Sequence, residues 1–147
     1  MGSSPKHLIV LMAVALSVLM DHTCEGQHHE PPDIITPGPV HITIENDLAN
    51  SATLTVHCRR IDRDSEEDYG THDVAPRSTY EFGFMTLEIP VAAANCSFQW
   101  PPQNFHDLKV FSQGRDGNSG DHLWMITEGG ACRDTGYPAE YCHGWTS

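Results

Sequence analysis

The pair His57-Cys58 is the first place to look for chemistry, because an imidazole beside a thiol has the makings of a cysteine nucleophile. Neighbouring residues of a strand point to opposite faces. The imidazole is then aimed away from the thiol, and the pair reads as a disulfide cysteine beside an exposed histidine. No Gly-x-Ser-x-Gly elbow and no His-Glu-x-x-His helix occurs. The many carboxylates lie mostly in loop-like sequence, with no flanking pattern that marks a raised pKa, so no glycosidase pair is indicated. The ten histidines are scattered, and the adjacent His28-His29 reads as solvated polar sequence. The expectation is a protein that is not an enzyme and holds no metal or cofactor.

Charge narrows the partners. Eight Lys and Arg stand against twenty Asp and Glu, for a formal net charge of -12. A nucleic-acid binder needs the opposite sign to neutralise phosphates. Adsorption to anionic membranes is disfavoured for the same reason. Residues 59–71 form a hydrophilic stretch in which Asp62, Asp64, Glu66, Glu67 and Asp68 follow Arg59 and Arg60. A second polar stretch, residues 113–121, carries Arg115 and Asp116. Both read as surface loops, the segments that present recognition side chains on a rigid scaffold. Asn95-Cys96-Ser97 is a formal glycosylation sequon with Asn95 as acceptor.

The N-terminus reads as an export signal. Lys6 precedes an apolar run over residues 8–20, too short to span a bilayer, and small residues follow at Cys24 and Gly26. Residues 1–26 are therefore expected to be a secretory signal peptide, cut after Gly26. Removing Cys24 leaves Cys58, Cys96, Cys132 and Cys142. Four cysteines in a small secreted chain imply two disulfides, with three possible connectivities. No C-x-x-C spacing points to zinc instead.

Secondary structure must position these groups. Residues 27–39 are rich in Pro and His and read as an extended leader. Period-two alternation then begins: Val40, Ile42 and Ile44 on one face, next Leu54, Val56 and Cys58, next Tyr80, Phe82 and Phe84, and next Cys96, Phe98 and Trp100. Pro101-Pro102 ends that strand. Residues 105–111 are strand-like with two mixed faces, and residues 123–127 form a short strand before Gly129-Gly130. About six or seven short strands separated by turns predict an all-β, antiparallel β-sandwich. Its expected extent is residues 40–134, followed by a tail over residues 135–147. Cys58 and Cys96 share faces with apolar neighbours, so both bridges are expected to be buried.

At this point the chain resembles the plant self-incompatibility S-proteins. The resemblance runs over Val40-His41-Ile42, Glu45-Asn46-Asp47-Leu48 and Leu54-Thr55-Val56-His57-Cys58. It continues through Gly70, His72, Tyr80-Glu81-Phe82, Thr86-Leu87 and Cys96-Ser97-Phe98-Gln99-Trp100. His106, Val110-Phe111, Arg115-Asp116, Trp124-Met125-Ile126 and Gly130-Ala131-Cys132 complete it. Two features depart from the family pattern. Gly120-Asp121-His122-Leu123, just before Trp124, lacks the Cys usual there, and Val91-Ala92-Ala93-Ala94 stands where aromatic residues are usual.

The resemblance implies a secreted, disulfide-stabilised β-sandwich acting as a signalling ligand. Its partner would be a membrane receptor on another plant cell, and the protein is expected to act as a monomer without inserting into membranes. Cys58 and Cys132 match family cysteine positions and are expected to pair. Cys96 would then pair with Cys142, which stands in for the missing cysteine. The runner-up reading is a carbohydrate-binding or defence module of the cell wall. Its sugar-stacking candidates are Tyr137, Tyr141 and Trp145.

Overall fold

A computed structural model of the chain describes residues 36–87, 92–102, 104–135 and 140–145. The expected signal peptide, most of the leader and Tyr137 lie outside the described residues. In chain order the strands are β1 (Pro39–Asn46), β2 (Leu54–Ile61), β3 (Glu66–Val74), β4 (Thr79–Met85), β5 (Ala93–Trp100) and β6 (Asn104–Ser112). A single helical turn, α1 (Gln113–Asp116), follows, then β7 (Gly120–Thr127), β8 (Gly130–Asp134) and β9 (Glu140–Gly144).

Alternation decides the packing. Val40, Ile42, Ile44, Leu54, Val56, Cys58, Phe98 and Trp100 are all buried between two sheets, as the period-two pattern requires. One sheet has the order β4-β1-β7-β8-β9 and the other β3-β2-β5-β6. The fold is all-β, in two layers, with two disulfides, as expected. One pairing departs from the antiparallel expectation: β1 and β7 run parallel, Val40 opposite Gly120 and Ile44 opposite Trp124. Parallel neighbours need a long crossover, and here the whole four-stranded sheet is visited between them.

The two sheets are closed differently at their sides. At one side, Tyr69 of β3 lies 4.7 Å from Phe82 of β4, and His72 stacks on Tyr80 at 4.1 Å. At the other, the Trp124 Nε1–H of β7 donates to the Val110 carbonyl of β6 at 2.9 Å. Buried Asn46 ties the β1 end to its neighbours. Its Nδ2 donates to the Ala52 and Val74 carbonyls at 2.8 and 2.9 Å, and its Oδ1 accepts from the Leu48 N–H at 3.2 Å.

Two bulges explain where simple alternation failed. The β5–β6 register shifts beside Ala94, so Val110 and Phe111 are consecutive and both buried. That is why residues 105–111 show two mixed faces. The β2–β3 register shifts between His57 and Arg59, opposite Gly70 at φ 77°. Glycine reaches this left-handed region without strain and inserts the extra residue. Residues 59–71, read from sequence as one hydrophilic loop, are therefore mostly the paired ends of β2 and β3. Likewise residues 113–121 hold α1 and the start of β7, and the expected tail contributes β9.

The disulfide pairing expected from the resemblance is overturned. Cys58 bonds Cys96, and Cys132 bonds Cys142. Each pair stands directly opposite on neighbouring antiparallel strands, with Cα atoms 4.1 and 4.0 Å apart. The first bridge is buried as expected. The second is not, because it lies on the outer face of its sheet and Cys142 is exposed.

Candidate functional site

The five acidic candidates gather on one hairpin. Its tip closes by the Asp62 N–H donating to the Ser65 carbonyl at 2.9 Å. Below it, carboxylates of β3 face nitrogen-bearing side chains of β2: Arg59 meets Glu66 at 3.1 Å, and His57 meets Asp68 at 2.7 Å. Arg60 reaches Asp62 at 2.7 Å and Glu67 at 3.4 Å, while its guanidinium lies 5.6 Å over the Phe84 ring. Asp62 is thus largely enclosed and serves the turn, whereas Asp64 and Arg63 stand exposed at the tip. The Gly70 N–H and then His57 hold the Asp68 carboxyl below its usual range. Burial, with Glu67 beside it, pushes the Tyr69 phenol up to about 12.

Arg115 and Asp116 lie elsewhere, beyond β6 on the opposite edge of the same sheet. The sequence-selected residues therefore form two sites. Asp116 is a structural anchor rather than a contact residue, since its side chain is 1% exposed. Arg115 grips it at 2.7 and 2.8 Å, Arg133 of β8 at 2.6 Å, and the Ser112 N–H at 2.8 Å. Burial opposes ionisation, but the hydrogen bonds from Arg115, Ser112 and Arg133 outweigh it and bring the pKa down to about 2.

Arg133 and His122 were not singled out by sequence reasoning. The Arg133 guanidinium lies 5.9 Å over the Trp124 ring and donates through Nη2 to Nδ1 of buried His122. His122 shares the inner face of β7 with Trp124 and Ile126, a phase that was legible in the alternation. Arg133 carried no such signal beyond following Cys132. Together these residues line an open cleft of about 620 Å³ with Arg115, Ser119, Gly120 and Asp121.

Burial first, then the nearby Arg133 charge, lowers the His122 pKa from 6.5. The unfolded chain therefore binds this proton more readily. Stability from neutral His122 is fully present above about pH 6.5 and is lost as pH falls toward the folded value. Urea unfolding from above neutrality down to about pH 5 should show this loss in the wild type and not in His122→Phe. Parallel pH profiles would contradict it.

Asn95 sits on the outer face of β5, between Arg59 of β2 and Lys109 of β6, with Ser97 on the same face. Of the sugar-stacking candidates, Trp145 is spent on packing. It stacks on His106 at 4.4 Å and donates from Nε1 to the Thr127 carbonyl at 3.0 Å. Tyr141 remains exposed. Among the described residues, no group of three or more His, Cys, Asp or Glu is placed to hold a metal ion. No helix among them is long and apolar enough to cross a membrane.

These features define a class: a small two-sheet β protein stapled by cross-strand disulfides, whose charged side chains clamp strand ends and turns. Residues 41–145 match the family model for plant self-incompatibility protein S1, and the chain belongs to that family. Relatives from Arabidopsis thaliana agree. S-protein homolog 20 is 33% identical over 154 aligned positions, covering 98% of this chain and 96% of the relative. S-protein homolog 2 is 29% identical over 113 positions, covering 71% of this chain and 66% of the relative's own length. S-protein homolog 3 is 26% identical over 111 positions, covering 71% of each.

Proposed function

We propose that this chain is a secreted, non-enzymatic signalling ligand of the self-incompatibility type, recognised by a cell-surface receptor through the β2–β3 hairpin. The observation that carries this reading is the hairpin itself. The side chains of Glu66, Glu67 and Asp68 are exposed, yet they are held in fixed register by Arg59, Arg60 and His57 and by the Gly70 bulge. A rigid, charged edge suits recognition, because it steers encounter and discriminates partners more than it adds affinity. The partner's matching surface would be basic. Family membership supports the self-incompatibility type, and the short apolar run over residues 8–20 supports export. A glycan at Asn95 would cover the middle of the outer sheet face and leave the hairpin edge open.

The test neutralises Asp64, Glu66, Glu67 and Asp68 together, as Asn or Gln. Exposed ion pairs contribute at most about 1 kcal/mol each, so circular dichroism should be unchanged and stability only modestly reduced. Saturable binding of the purified protein to intact plant cells should weaken and lose its salt dependence. Unchanged binding by a folded variant would overturn the hairpin as the recognition site.

A further inference from the structure

The cleft beside Arg133 contains a polar atom whose need is unmet. Arginine only donates, so His122 Nδ1 must accept the Arg133 Nη2–H. The imidazole is then neutral and carries its proton on Nε2. That Nε2–H is buried and has no hydrogen-bond partner, in a residue only 6% exposed. A buried donor left unsatisfied is costly, and such an atom in a native fold calls for a reason. The nitrogen faces the position where Gly120 has no side chain, and a Cβ there would sit 4.0 Å from it. Gly120 itself lines the cleft.

The walls around this donor are rigid and of both polar kinds. Arg115 and Arg133 are locked by Asp116, leaving guanidinium N–H groups on their outer sides. The Asp121 side chain, 95% exposed, and the Ser119 hydroxyl supply acceptors at the rim. Past Arg133 the surface continues into a smaller hollow of about 130 Å³, lined by Trp124, His143 and Tyr141. The Tyr141 ring is 57% exposed.

We infer that this cleft binds a neutral saccharide of one or two rings. A hydroxyl both donates and accepts, so a polyhydroxylated ring satisfies His122 Nε2–H and the guanidinium edges on one side and Asp121 on the other. An exposed tyrosine beside such a wall offers the apolar face of a sugar ring a surface. A carboxylate ligand would suit His122 but meet Asp121 and Asp134 at the rim. An apolar ligand would strip water from every one of these groups without replacing it. The volume lies within the usual range of small-ligand sites.

The experiment is a heteronuclear NMR titration of the full chain with glucose, galactose, mannose, xylose and arabinose, their disaccharides, and glucuronate as the acidic probe. At least one neutral sugar should shift the signals of Gly120, His122, Arg133 and Tyr141 together, at millimolar concentration. Tyr141→Ala and His122→Phe, each checked for folding by circular dichroism, should each weaken that binding by about fivefold or more. Tyr141 is exposed, so its variant stays informative if His122→Phe fails to fold. Binding of glucuronate alone, no shift with any neutral sugar, or wild-type affinity in the folded variants would overturn the inference.

Discussion

Asp116→Ala is expected to lower the unfolding free energy by about 3–5 kcal/mol, the usual consequence of removing one partner from a buried ion pair. The carboxylate joins α1 to β8 and accepts from the Ser112 N–H at the end of β6. Without it, Arg133 stays between Trp124 and His122 with its charge uncompensated, and the Ser112 N–H loses its acceptor. Acid should reproduce part of the effect. The carboxyl pKa is lowered from 3.8 to about 2, so the stability it confers is fully present above 3.8 and disappears as pH falls toward 2. That shift corresponds to about 2 kcal/mol. Urea unfolding at neutral pH gives the first number. The same measurement at low pH should show the gap between wild type and Asp116→Ala narrowing. Near-equal stabilities at neutral pH would mean that the Arg115–Asp116–Arg133 cluster contributes nothing to the fold.

Replacing Cys58 and Cys96 by alanine should be comparably severe. The bridge closes a loop of 38 residues, for which the chain-entropy relation gives about 4 kcal/mol. Both cysteines are fully buried, so truncating them also leaves a cavity at the centre of the four-stranded sheet. Small domains are stable by roughly 5–15 kcal/mol, so little margin would remain. Loss of the Cys132–Cys142 bridge, whose loop is only 10 residues, should act locally instead. It frees β9 and with it Trp145, which packs on Phe98, Trp100 and His106. Tryptophan fluorescence should then shift to the red while the far-ultraviolet spectrum is kept. Peptide mapping under non-reducing conditions identifies the bridges directly. A Cys58–Cys132 link, or equal losses from the two double variants, would refute this assignment.

Alternating apolar positions in β1, β2, β4 and β5 were legible because each such strand buries one face, and period two follows from the pleat itself. Composition and charge set the expectation of no nucleic-acid partner from the sequence alone. The two Cys-bearing blocks were enough to indicate the family. The hairpin carboxylates were legible as a cluster, but not as strand. Gly70 shifts the register by one residue there, and one shift destroys the alternation that marks a strand.

Tertiary structure alone decided which groups meet. Cys58 finds Cys96 because β2 and β5 are neighbours, a fact of sheet order that no spacing in the chain encodes. Asp116 looked like a recognition residue, yet β8 brings Arg133 onto it and buries it. His122 was one histidine among ten until the pairing of β7 with β8 brought Arg133 onto it at the cleft. Local pattern reports what each strand must bury. It carries no information about which strand lies beside it: Cys58 meets Cys96 from a strand 38 residues away, and the cleft exists only once α1, β7 and β8 pack together.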